Sequence, residues 1–243
     1  MEDLLRQLIK EMRGHVEVHS LFKGDYPLVL VTKDRMDFYK VNKEGDYDLV
    51  RQDTRPDWIS TRVMAALPYE ENAGQMTALV EACSLQTLEG RIGIQHEFVH
   101  CYQESLGLER LRQVLDICKE PDPLWELNFN FPYYDQEVGA CLKQLADFRG
   151  TPCLSTKAFL NTLRDLRGCL RKLEFEYLVW QVWLEGFARF IENRLRLKHG
   201  LEEKYKTYDR MDRHVFYQVG DHYFRTLESM DLIKAFDHLY NLI

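Results

Sequence analysis

The sequence has no dense run of lysine and arginine, and its acids outnumber its bases 39 to 32, for a formal net charge of -7. A protein that tracks nucleic acid needs a basic patch able to release counterions from the phosphates. The nearest approach is Arg194-Leu195-Arg196-Leu197-Lys198-His199. It alternates with leucine on a predicted helix and reads as a solvated face. No nucleic-acid partner is expected. No stretch approaches the ~20 apolar residues of a membrane span, so no membrane partner is expected either. The opening Met1-Glu2-Asp3-Leu4-Leu5-Arg6 carries acids where a secretory signal would carry bases. The six cysteines, Cys83, Cys101, Cys118, Cys141, Cys153 and Cys169, form no Cys-x-x-Cys pair. A cysteine zinc site is therefore not expected, and the thiols read as reduced in a cytoplasmic protein. Each is expected to be a small buried hydrophobe rather than a nucleophile.

What is present is apolar side chain, 45% of 243 residues, with 12% aromatic. That suffices for one large core or two fused smaller ones. Residues 2–13 place Leu4, Leu5, Leu8, Ile9 and Met12 at helical spacing. Residues 28–31 read as a strand. Residues 37–41 and 47–50 read as a hairpin around Gly45, and 58–67 as a further strand stopped by Pro68. After Pro68 the pattern turns helical, with helices expected at 73–88, 91–106, 108–118, 135–148, 156–167, 170–198, 211–226 and 229–241. The expected class is α+β in a single domain, 1–243. Within it a small, mostly antiparallel sheet segment (1–68) precedes a larger helical segment (69–243).

The residues that carry chemistry are His96-Glu97-Phe98-Val99-His100, an H-E-x-x-H sequence on one of the predicted helices. Residues four apart lie one above the other on a helix face, so two imidazoles there can reach one metal ion. Glu97 flanks that position without ligating and can take a proton from water. Zinc lowers the pKa of its water to ~7, which suits hydrolysis at neutral pH. Ile92, Phe98, Val99 and Tyr102 supply apolar surface on the other faces. The competing reading is two ordinary histidines beside a solvated glutamate.

A catalytic zinc site needs a third protein ligand. A third histidine six residues on is missing, because position 106 is Leu106. A carboxylate fits, and Glu185 is the choice, since Gly186 and Ala188 beside it are small enough for a close approach to the His96–His100 helix. Glu104 and Glu137 compete. So does a bland reading, in which Glu174, Gln181, Glu185, Glu192 and Arg196 form a solvated stripe near heptad spacing.

Taken together, H-E-F-V-H and the later Trp183-Leu184-Glu185-Gly186-Phe187-Ala188 resemble the gluzincin metallopeptidases, the superfamily often called peptidase MA. Aminopeptidases of that group follow H-E-x-x-H with a W-L-N-E-G-F-A helix whose Glu is the third zinc ligand; here the Asn is missing. The resemblance implies a zincin-like fold, a zinc cofactor on His96, His100 and Glu185, and cleavage of a peptide or protein substrate. It covers two helices. His100 and Glu185 are separated by 84 residues, where the aminopeptidases have about twenty. No G-x-M-E-N-type sequence for a free N-terminus occurs. The closer comparison is with smaller, bacterial-looking peptidase MA-like proteins, whose helices read H-E-x-F-H-x-x-Q and E-G-x-A-x-x-x-E.

Peptide hydrolysis also needs a donor for the tetrahedral oxyanion. Tyr217-Gln218-Val219-Gly220, a Tyr-x-x-Gly following E-G-x-A, resembles the family pattern, so Tyr217 is the expected donor. Tyr223, His214 and His222 are alternatives, and an aromatic stripe in a core is the bland reading. His15, His19, His199 and His238 show no ligand spacing. Two rival functions remain: a non-enzymatic helical interaction protein with a relic zinc site, and a metallohydrolase of a non-peptide amide or ester.

Overall fold

The turn at Asn42–Asp46 shows how local chemistry starts the fold. The Asn42 side-chain oxygen accepts from the backbone N–H groups of Glu44 and Asp46, each at 3.0 Å, and Gly45 takes a φ of 88°, a left-handed conformation that costs glycine little. This turn joins β2 (Arg35–Val41) to β3 (Tyr47–Thr54). In the computed structural model, which describes residues 1–69, 74–106, 108–148, 152–227 and 232–241, the chain is α+β. A five-stranded mixed sheet also contains β1 (Leu28–Val31), β4 (Met64–Pro68) and β5 (Met76–Glu81). Its order is β3-β2-β1-β5-β4. β1 runs parallel to β5, and the other pairings are antiparallel.

The helices are α1 (Glu2–Arg13), α2 (Leu88–Ser105), α3 (Leu108–Val114), α4 (Trp125–Asn128), α5 (Gln136–Ala146), α6 (Pro152–Cys169), α7 (Lys172–Lys198), α8 (Val215–Leu227) and α9 (Leu232–Asn241). Two compact units form. One is Met1–Leu106 with Ile191–Glu203, and the other is Gly107–Phe190 with Lys204–Ile243. Among the described residues, no helix is long and apolar enough to cross a membrane.

In the first unit, Val29, Val31, Met36, Phe38, Ile59 and Leu79 form one apolar layer of the sheet. The strand neighbours Leu28, Leu30, Ala78 and Val80, which alternate with them, are also fully buried. So β1 and β5 are covered on both faces. α2 packs along β4 and β5. Thr87 caps it by accepting from the Gly90 N–H. Gly90 itself is required, since a Cβ there would sit 2.1 Å from the Ser84 carbonyl oxygen. Arg91 of α2 forks onto Glu11 of α1 at 2.8 and 2.9 Å, and Phe98 stacks on Tyr26 with ring centroids 5.2 Å apart.

The second unit is helical around an aromatic core in which Tyr177 contacts Phe129, Phe131 and Phe216. Trp183 donates from its indole to the Leu232 carbonyl at 3.0 Å. α7 and α8 touch backbone to backbone: a Cβ on Gly186 would lie 2.3 Å from the Gly220 Cα.

Three expectations need correction. Residues 76–81 are strand β5 and 82–86 a 3-10 turn, where a helix was expected over 73–88; residue 73 lies outside the described ones. Met76-Thr77-Ala78-Leu79-Val80 is a short apolar run buried on both sides, and such a run carries no periodicity that separates strand from helix. The sheet therefore extends past Pro68, and the expected change of character at that residue is not where it ends. The strand expected over 58–67 begins only at Met64.

Candidate metal centre

α2 is buried nearly all round. Arg91, Ile92, Ile94, Gln95, His96, Glu97, Phe98, Val99, Cys101 and Gln103 are all inaccessible or nearly so. A helix without a solvated face is a central one, and polar groups on it need partners. His96 and His100 have them. His96 Nδ1 donates to Glu192 Oε2 at 3.2 Å, and His100 Nδ1 lies 3.0 Å from Gln103 Oε1. A carboxylate oxygen can only accept, so His96 carries a proton on Nδ1, and in the neutral ring the lone pair is on Nε2. The amide oxygen of Gln103 fixes the same tautomer for His100. The two rings stand edge to face with centroids 5.0 Å apart.

His96, His100 and Glu185 each offer one ligand atom, and these atoms all lie within 4.8 Å of one another. The donor chemistry, two imidazole nitrogens and one carboxylate oxygen, suits zinc and also other first-row divalent ions. Donation of each Nδ1–H to an oxygen is the usual way a protein orients ligating histidines. The residues present thus fit a metal ion. Glu97 follows His96 on α2 and is buried; it is not one of the three grouped ligands. Burial first, and the Glu97 carboxylate second, push the Cys101 thiol well above its usual range.

Around Glu185 the surroundings are basic and aromatic. Glu185 Oε1 lies 3.9 Å from Arg213 Nη2. Arg213 donates to the Tyr217 hydroxyl at 3.1 Å. The guanidinium groups of Arg189 and Arg213 lie 5.3 and 5.8 Å from the Tyr217 ring centroid. Of the four candidate oxyanion donors, Tyr217 is therefore joined to Glu185 through Arg213. The others are committed elsewhere. Tyr223 donates to the Ala235 carbonyl at 2.8 Å and is fully buried. His222 Nε2 bonds the Ala146 carbonyl at 3.1 Å. His214 is exposed and paired with Asp212 at 3.0 Å.

Two parts of the sequence reading change here. The solvated stripe on α7 is not solvated: Glu174, Gln181, Glu185 and Glu192 are all buried. The close approach that Gly186 permits is to Gly220 of α8, where the reading had it facing the His96–His100 helix. Of the competing ligands, Glu137 is exposed on α5 and sits 3.7 Å from Cys169 Sγ. Glu104 is half-buried near the end of α2; neither belongs to the three-residue group. The orienting roles of Glu192 and Gln103, and Arg213 altogether, escaped the sequence reading. A signal for the first two existed, the Gln three residues after His100 and the Glu seven after Glu185. Compared with protein-family models, with curated proteins and with solved structures, the chain matches none.

Proposed function

We propose that this chain is a metal-dependent hydrolase of amide bonds, a gluzincin-like peptidase with a zincin-like fold, that uses zinc on His96, His100 and Glu185. The observation that carries the reading is the convergence of those three ligand atoms within 4.8 Å. It joins two sequence segments that the H-E-x-x-H spacing alone does not connect.

A zinc ion bound there would supply a Lewis acid and lower the pKa of a water to ~7. Glu97 takes the proton of the attacking water and returns it to the leaving amine. Tyr217 donates to the oxygen that becomes negative. Glu192 and Gln103 keep both imidazoles with the proton on Nδ1. β4 supports an extended substrate: it is an edge strand of the sheet, paired on one side with β5, and a peptide backbone can add to such an edge. The free thiols of Cys83, Cys101, Cys118, Cys141 and Cys169 favour a cytoplasmic setting.

The test pairs zinc content with turnover on a broad peptide mixture. Glu97→Gln keeps the side-chain shape and removes the base, so it should retain zinc while turnover falls by ~10²–10⁴. Turnover by wild type on amides and unchanged turnover in Glu97→Gln would remove the mechanism. Turnover of esters or non-peptide amides alone would remove the peptidase assignment.

A further inference from the structure

Arg213 precedes α8, in the turn that starts the helix. The Asp212 side chain accepts from the His214 N–H at 2.8 Å, and the Asp212 and Arg213 carbonyls accept from Val215 and Phe216 at 3.0 and 3.1 Å. This turn fixes the Arg213 backbone, and Tyr217 follows four residues later, one turn along on the same face. The Arg213 side chain is three-quarters buried.

The arrangement is asymmetric. The contact with Tyr217 is a hydrogen bond at 3.1 Å. The approach to Glu185, at 3.9 Å, is electrostatic. A phenol that accepts from a cation is made a stronger donor by the nearby charge. Arg189, whose Nη1 donates to the Lys204 carbonyl at 3.2 Å, adds a second cation near the same ring.

We propose that Arg213 is a positioning residue for Tyr217: it holds the phenol at a fixed place beside Glu185 and polarises it for donation to an anionic oxygen. The proposal rests on the hydrolase reading for the identity of that oxygen, but the Arg213–Tyr217 coupling stands apart from it. Arg213 itself touches no reacting atom.

The experiment has two arms. In the first, the protein is labelled with ¹³C at the tyrosine Cζ, and the Tyr217 resonance is assigned by its loss in Tyr217→Phe. Arg213→Ala should move that resonance, and Arg213→Lys should bring it part of the way back. A resonance unmoved in a folded Arg213→Ala protein overturns the proposal, whether or not the chain hydrolyses anything. The second arm is a double-mutant cycle in the zinc-loaded protein. Arg213→Ala and Tyr217→Phe should each lower kcat by about 10²-fold, with KM little changed, as for loss of an oxyanion donor. The double variant should be no slower than the slower single one. Fully multiplicative losses would mean that Arg213 acts independently of Tyr217, and would overturn the proposal. Absence of hydrolysis in wild type would remove the hydrolase reading alone, and the first arm would still decide the coupling.

Discussion

Glu185 and Glu192 lie two turns apart on α7, both buried and both the same residue type, yet their neighbours assign them different work. Glu192 accepts from His96 Nδ1 at 3.2 Å, so it orients that imidazole. Glu185 joins His96 and His100 in the group that can hold an ion, and a guanidinium stands 3.9 Å from it. The seven-residue spacing that looks like a surface stripe in the sequence is, in the folded chain, one member of a group that could hold an ion and the hydrogen-bond partner of another member. Burial of several carboxylates on one helix is costly unless each has a partner. The pattern of partners is therefore more informative than the pattern of charges.

The widest separation should come from replacing each carboxylate by its amide. Glu185→Gln removes a ligand charge and should abolish stoichiometric zinc at micromolar concentration, as measured by competition with a chromogenic chelator. Glu192→Gln leaves the ligands in place but lets His96 turn, and should weaken zinc by ~10–100-fold. Equal losses would break the division of labour between the two glutamates.

A packing contrast comes next. The α7 stretch around Glu185 is set by the contact of Gly186 with Gly220, where a Cβ on Gly220 would lie 2.2 Å from the Gly186 Cα. Gly220→Ala should lower stability by about 1–3 kcal/mol, the usual cost of overpacking, and should weaken zinc through Glu185. An unchanged thermal midpoint would show that the two helices part without cost.

The end of α7 carries the smallest expected effect, a dependence on pH. His15 is buried, with Nδ1 2.6 Å from Gln95 Oε1 and Nε2 2.9 Å from His199 Nε2. Burial lowers its pKa, the nearby charges of Lys198 and His199 lower it further, and the Gln95 hydrogen bond and Glu11 oppose them. The folded state thus prefers neutral His15 while the unfolded chain protonates near the ordinary value of ~6.5. Its contribution is complete above that pH and is lost as pH falls through the depressed folded value. Thermal midpoints should fall on acidification below about pH 6.5, and His15→Gln should flatten the slope. An identical slope in that variant would place the acid sensitivity elsewhere.

Much of this was legible in the sequence where one element supplies its own signal. The hairpin around Gly45, helix α1 and the buried helix carrying His96 and His100 each follow from local spacing. β5 was not legible as a strand, because its apolar run is buried by neighbours from distant segments. The pairing of Val29 with Leu79 leaves no trace in either stretch. In the candidate site, Glu185 was reached through its sequence neighbours, but the argument from Gly186 failed: the sequence shows that a helix can be approached closely, not by which partner. Arg213 lies outside every motif, and its role depends on a turn geometry that only the fold supplies.

The central claim is a metal ion held by His96, His100 and Glu185. Crystals grown with zinc, with anomalous data collected on either side of the zinc edge, test it most directly. The account predicts one strong peak per chain, at ~2.0–2.2 Å from an imidazole nitrogen of His96, one of His100 and a carboxylate oxygen of Glu185. A zinc peak bound by other residues, or no peak while the three side chains stand apart, would contradict it.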